Sequence, residues 1–139
     1  SGLLRMDLFL TMWHSLRALI QLSSSQPLLL DAVAAAVAQL ERCQCVFARP
    51  LSVLYRAAWC RRQGRRAEAH WLIREAEAGL AARDMALHAA CARLRRGQWL
   101  ANAEGEELMR TARQFAGAEQ PPSFATPKAK TTGGCGARV

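Results

Sequence analysis

Cysteine and histidine side chains are the groups of this 139-residue chain that could bind a metal ion or act as a nucleophile with its base. The candidates are Cys43, Cys45, Cys60, His70, His88 and Cys91. His88 and Cys91 would share a helix face, whereas Cys43 and Cys45 would point to different faces. A metal cluster or a cysteine–histidine couple would require several helices to converge, and neither a structural zinc spacing nor a third orienting group is evident. We therefore predict partly buried side chains, with no catalytic and no metal site.

Nucleotide chemistry has no signature in this chain. A Gly-rich phosphate loop followed by Lys and Ser or Thr does not occur, and neither does a protein-kinase motif. We predict a binding protein that is not an enzyme and needs no cofactor. The five cysteines, an odd number without a regular framework, favour a reducing compartment, which predicts a cytoplasmic location.

Arginine pairs are the second feature of the sequence that could bind a ligand. They are Arg61, Arg62, Arg65, Arg66, Arg95 and Arg96. The net charge of +8 favours acidic partners, and arginine suits carboxylates and phosphates, although a lysine shortage is also typical of a GC-rich genome. If turns at Gly64 and Gly97 align, these arginines form one basic rim. Glu68, Glu75 and Glu77 would neutralise part of it, and the interleaved aromatics of single-strand binders are missing. We predict a protein or peptide partner, with nucleic acid as the alternative.

Six helices are expected to position these residues, because half of the chain is apolar while few residues are aromatic. The predicted helices span about residues 3–22, 27–45, 50–64, 66–80, 84–97 and 102–120. The first is apolar on nearly every face, so we expect it to be covered on two sides. Its charged residues argue against a membrane span, and it lacks the basic, apolar and small-residue order of a signal peptide. No membrane partner is predicted.

Turn residues and stripes define the later helices. Gly64 and Gly97 are each predicted to end a helix after two arginines, and Asp84 to cap the fifth helix. Trp71 lies off the apolar stripe of the fourth helix and is predicted to contact a partner. The predicted stripe of the fifth helix is Leu87, Ala90, Cys91 and Leu94.

Small and bulky residues around the third and fourth helices are spaced as in the tetratricopeptide repeat, which this region resembles. The residues that carry the likeness are Tyr55, Trp59, Gly64, Ala69, Ile73 and Ala76. Gly97 follows Gly64 by 33 residues, close to that family's period of about 34. The resemblance implies an all-α fold of antiparallel hairpins stacked as a short solenoid, in which the alanines let helices approach closely.

About the last third of the chain, residues 76–120, is also similar to the C-terminal segment of large bacterial signalling proteins that combine a serine/threonine kinase, an ATPase module and helical repeats. The likeness rests on Asp84, Met85, Ala89, Ala90, Arg95, Arg96, Gly97, Gly105, Leu108 and Ala112. It implies a scaffold or interaction module whose chain starts inside a longer parent.

Two regions are predicted from the pattern. Residues 1–119 should form one helical repeat domain, and residues 120–139, which are rich in Gly, Thr and Ala without periodicity, should form an irregular tail. The tail is expected to order only on a neighbour.

Overall fold

The computed structural model describes residues 2–23 and 25–119, which form a stack of six α-helices. The helices are α1 (Gly2–Ser23), α2 (Pro27–Arg42), α3 (Ala48–Arg62), α4 (Arg66–Ala81), α5 (Ala86–Leu100) and α6 (Ala103–Glu119). Each helix packs mainly on its neighbours in the chain, and α1 also reaches α3. The predicted all-α stack of antiparallel hairpins with six helices is therefore confirmed. The predicted tail, residues 120–139, lies outside the described residues.

Local chemistry explains several helix ends. Pro27 occupies the first turn of α2, where its missing N–H leaves no intrahelical bond unmade. Gly64 follows α3 with a φ of +81°, a left-handed conformation that costs glycine little. At the start of α6, the Asn102 side chain accepts a hydrogen bond of 2.9 Å from the Gly105 backbone N–H.

The core lies where α3 and α4 meet α2 and α5. Its largest fully buried side chains include Val33, Leu40, Ile73 and Leu80. Ala69 and Ala76 are also fully buried on α4, and small side chains at such positions allow neighbouring helix backbones to come close. Tyr55 is buried and Trp59 partly buried beside this core.

Three predicted helix ends are wrong. α2 ends at Arg42 rather than near Cys45. Asp84 adopts a φ of +56° in the turn before α5 and does not cap it. Gly97 is buried inside α5, where it packs against Gly105 of α6, and the helix continues to Leu100. Close helix packing, and not a chain reversal, is what requires glycine there.

Two predicted burial patterns also need correction. The stripe of α5 is rotated, because Leu87 and Cys91 are exposed while Ala89 and Ala92 are buried against the core. Among the side chains of α1 that the structure describes, one side alone is covered. Thr11, Ser15 and Ala18 face the stack, and large apolar residues point away from it.

Among the six helices of the described segments, none has the length and hydropathy that crossing a membrane requires.

Candidate binding groove between α1, α3 and α5

A groove of about 440 Å³ runs along the side of the stack formed by α1, α3 and α5. It is lined by Leu19, Leu22, Ser23, Leu54, Ala58, Arg61, Arg62, Ile73, Cys91, Ala92, Arg95 and Trp99. Leucine and alanine side chains form most of the floor. Three arginines converge on it, two from the end of α3 and one from α5. The groove therefore offers an apolar bed beside concentrated positive charge.

The Trp99 ring contacts two side chains at the end of the groove where Arg61 lies. The Arg61 guanidinium lies 5.7 Å from the centre of the Trp99 ring, a cation–π distance. His70 of α4 packs edge to face against the Trp99 ring, with ring centres 6.0 Å apart and ring planes at 89°. Because α5 continues past Gly97, Trp99 stands one turn beyond Arg95 on the same helix. The sequence did not assign Trp99 to a binding site, because Trp71 was the tryptophan predicted to contact a partner.

His70 contributes little charge to this end of the groove. Burial lowers its pKa, and the nearby positive charges of Arg61 and Arg96 lower it further. The imidazole is therefore neutral around pH 7, and the positive charge of the groove comes from its arginines.

The predicted rim arginines differ in their surroundings. Arg95 is exposed and forms no ion pair with any residue of the described segments. Arg96 points instead to Glu77 of α4, with 2.9 Å between Nη1 and Oε2, and its side chain is 18% exposed. Arg93 binds the same carboxylate at 2.8 Å. Arg96 therefore connects α4 and α5, whereas Arg95 is available to a ligand.

Arg65 serves the turn between α3 and α4. Its guanidinium donates two hydrogen bonds to Glu68, of 2.7 and 2.9 Å, and a third of 3.0 Å to Cys60 Sγ. It also lies 5.7 Å from the centre of the Trp59 ring. Arg66 is exposed at the start of α4 and does not line the groove. The six predicted arginines thus do not form one rim: Arg61, Arg62 and Arg95 come together, and the others do not join them.

Trp71 lies on a different surface, a second groove of about 600 Å³ between α2, α3 and α4. Its lining residues are Glu41, Arg49, Pro50, Ser52, Val53, Arg56, Trp71, Leu72, Glu75, Gly79 and Arg83. Trp71 is 61% exposed, but acidic and basic side chains alternate around it, and Arg56 is paired with Glu41. This groove therefore lacks the one-sided charge of the groove with Arg95.

The cysteines and histidines do not form a metal-binding cluster in the part of the chain that is described. Within residues 2–23 and 25–119, no three His, Cys, Asp or Glu side chains are grouped so that they could hold a metal ion. Burial raises the pKa of the Cys60 thiol more than the nearby Arg65 lowers it, which favours the protonated thiol.

The chain matches no protein-family model, no curated protein and no solved structure.

Proposed function

We propose that this domain is a non-catalytic helical repeat module that binds a protein segment in the groove between α1, α3 and α5. The segment carries carboxylates next to apolar side chains. The observation that supports this best is the convergence of Arg61, Arg62 and Arg95 on an apolar floor. Arginine pairs well with carboxylates because its planar fork donates two parallel hydrogen bonds.

The apolar floor favours a peptide over a free acid or a polyanion. Leu19, Leu22 and Leu54 come from two helices and line a single continuous groove. Apolar side chains of a bound segment would remove this surface from water, at roughly 25 cal/mol per Å² of buried apolar area. A nucleic-acid phosphate backbone would form ion pairs with the arginines, but it would leave the leucines exposed to water.

Arg61 and Arg95 would both bind carboxylates of the bound segment. Arg61 is partly ordered before binding by its stacking on Trp99, so little side-chain entropy is lost when a carboxylate arrives. Arg95 is exposed and supplies a second positive charge from the facing helix. We place Arg66 and Trp71 outside this site, while Arg65 and Arg96 support the fold around it.

The wider role follows from the resemblance to bacterial signalling proteins. We propose that the module belongs to a larger cytoplasmic signalling protein and binds either a separate protein or another part of its own parent. The stacked hairpins and the buried Ala69 and Ala76 support a repeat module of this kind. Reading the genomic frame upstream of residue 1 tests the parent: an encoded kinase or ATPase supports it, and a start codon near Met6 contradicts it.

A peptide titration tests the binding site. Fluorescence anisotropy of a labelled peptide of alternating Glu and Leu should show saturable binding, and the same peptide with Lys in place of Glu should bind at least about ten-fold more weakly. Arg95→Glu should weaken the Glu–Leu peptide by about ten-fold or more. Arg113→Glu, an equal charge change at an exposed position of α6, should leave affinity unchanged.

Two results would contradict the proposal. One is equal binding of the Glu–Leu and Lys–Leu peptides, or an Arg95→Glu variant that binds like the wild type. The other is tight binding of single-stranded or duplex DNA that falls by orders of magnitude between about 50 and 200 mM salt, which would favour the nucleic-acid alternative.

A further inference from the structure

The outward face of α1 is the largest apolar surface on the described part of the molecule. In the described segments, twelve large apolar side chains are exposed to solvent. Nine of the twelve belong to α1. They are Met6, Leu8, Phe9, Leu10, Met12, Trp13, Leu16, Leu19 and Ile20, with exposed fractions from 38% to 68%. Contiguous apolar patches of this size are rare on monomeric proteins and mark interaction sites.

Five of these residues form a regular seam. Met6, Phe9, Trp13, Leu16 and Ile20 follow one another at spacings of three, four, three and four residues. This is the a and d pattern of a heptad repeat, in which each side chain inserts between four residues of a facing helix. Every member is more than half exposed, so the seam is open along its whole length. We call these five residues the α1 seam.

The two ends of the stack differ in this respect. At the other end, α6 exposes Glu104, Glu106, Glu107, Arg110 and Arg113. A polar outer face of this kind is what caps a helical solenoid and keeps it soluble. The α1 end has the opposite character, since Arg5 and Arg17 are the exposed charged residues among its described side chains. α1 therefore lacks the polar outer face that α6 provides at the other end of the stack.

We propose that this face is covered by α1 of a second copy of this chain, so that two domains dimerise through their α1 seams. A two-fold axis lets one patch meet itself, and a heptad seam is self-complementary because its side chains fill the holes between the equivalent side chains of the partner. The resulting dimer has the polar α6 at both outer ends and the apolar helices at its centre.

The available area is sufficient for a stable dimer. Leu19 lines the groove that also contains Arg95, so the other eight residues are left for a dimer contact. At about half exposure, side chains of this size each show roughly 100 Å², so these eight residues present roughly 800 Å². A standard interface buries about 800 Å² per partner. The dimer therefore needs no further contact surface.

The C-terminal segment of this sequence is a worse occupant. Residues 120–139 contain Phe124 and Val139 as their sole large apolar residues, so this segment has no seam to match five heptad positions. An acidic partner is also a poor fit, because the face has little charge to attract it.

Sedimentation velocity over a concentration series tests the proposal on the full chain. The wild type should shift from monomer to dimer as concentration rises. Phe9→Glu and Trp13→Glu should each raise the dimer dissociation constant by at least about thirty-fold, as expected for central aromatic positions of an interface. The matched controls are Val46→Glu and Leu87→Glu, which place the same charge on exposed apolar residues outside α1 and should dimerise like the wild type. Circular dichroism checks that all four variants keep their helix content.

Salt and lipid distinguish this contact from others. Raising salt from about 0.1 to about 1 M should leave the dimer as tight or tighter, because the contact is apolar and the +8 charges on each copy repel one another. A monomer at every concentration overturns the proposal, as does a dimer that survives both α1 substitutions. Wild-type monomer that co-sediments with phosphatidylcholine–phosphatidylglycerol vesicles would make the seam a membrane contact instead.

Discussion

Gly97 and Gly105 let the backbones of α5 and α6 come so close that no side chain fits between them. A Cβ on Gly97 would lie 2.6 Å from the Gly105 carbonyl oxygen and 2.7 Å from Met109 Cγ. A Cβ on Gly105 would lie 2.5 Å from the Gly97 carbonyl oxygen. These contacts include backbone atoms, which cannot rotate away as a side chain can. The last hairpin therefore depends on two glycines for its separation.

Gly97→Ala should lower the free energy of unfolding by about 1–3 kcal/mol, the usual range for inserting a methyl group into a packed region. Urea denaturation followed by circular dichroism measures it. The control is Gly117→Ala, also in a helix, where a Cβ would meet nothing within 4 Å. That change should be neutral or stabilising by up to about 1 kcal/mol, because alanine favours helix over glycine. Equal effects of the two substitutions would contradict the close approach.

His70 gives the domain a pH dependence. Its pKa in the folded state is lowered from 6.5 by burial and by Arg61 and Arg96, so between the folded and unfolded pKa values the unfolded chain binds more protons. The free energy of unfolding is therefore unaffected by His70 above about pH 6.5, and it decreases as the pH falls below this value, because protonation of His70 favours the unfolded chain. The wild type should therefore unfold at lower urea concentration at pH 5 than at pH 7.5.

The His70→Gln variant should show a smaller loss over the same pH range. His14, whose pKa is also lowered by burial and by Arg17, should account for part of the loss that remains. A His70→Gln variant with the full wild-type pH dependence would show that His70 is not the group responsible.

At the scale of helices, Glu77 connects α4 to α5. Its carboxylate binds Arg93 at 2.8 Å and Arg96 at 2.9 Å, and it is only 13% exposed. Glu77→Gln should lower the free energy of unfolding by about 1–3 kcal/mol, because the network loses its negative charge and one of its two acceptor oxygens, while a partly buried arginine keeps its charge. Thermal and urea unfolding measure the effect.

The control for this prediction is Glu107→Gln. Glu107 pairs with Arg110 on the same helix, and both side chains are more than half exposed. Such exposed pairs add little to stability, so this variant should unfold like the wild type. If both variants behave alike, the connection between α4 and α5 does not depend on the Glu77 carboxylate.

Sequence periodicity predicted the positions of the helices well, but it predicted less well which residues each helix packs against. The stack of six helices and the end of α3 at Gly64 could be read from apolar spacing and turn chemistry. The same pattern of two arginines before a glycine failed at Gly97, because a glycine required by a neighbouring backbone looks like one required by a turn. For the binding surface, Trp71 was predicted in place of Trp99, because Trp71 lies off the apolar stripe of its helix. The open face of α1 could not be predicted either, since an apolar helix does not reveal whether its cover comes from the same chain.

At the scale of the whole molecule, stability should be distributed unevenly along the stack. Each helix packs mainly on the helices next to it, and within the described segments α6 forms no interface with α2. In such a linear array, stability is close to a sum of local terms and neighbouring interfaces. A defect at one end should therefore open that end without loosening the other.

Hydrogen exchange on the Gly97→Ala variant tests this directly. The substitution strains the contact between α5 and α6, so amide exchange should become faster in those two helices and stay unchanged in α2 and in the first half of α3. Peptide-resolved mass spectrometry under native conditions measures both regions in one experiment. The Gly117→Ala variant provides the baseline, because its added methyl group touches nothing. Equal acceleration in all helices would mean that the stack unfolds as one cooperative unit, in spite of its neighbour-to-neighbour packing.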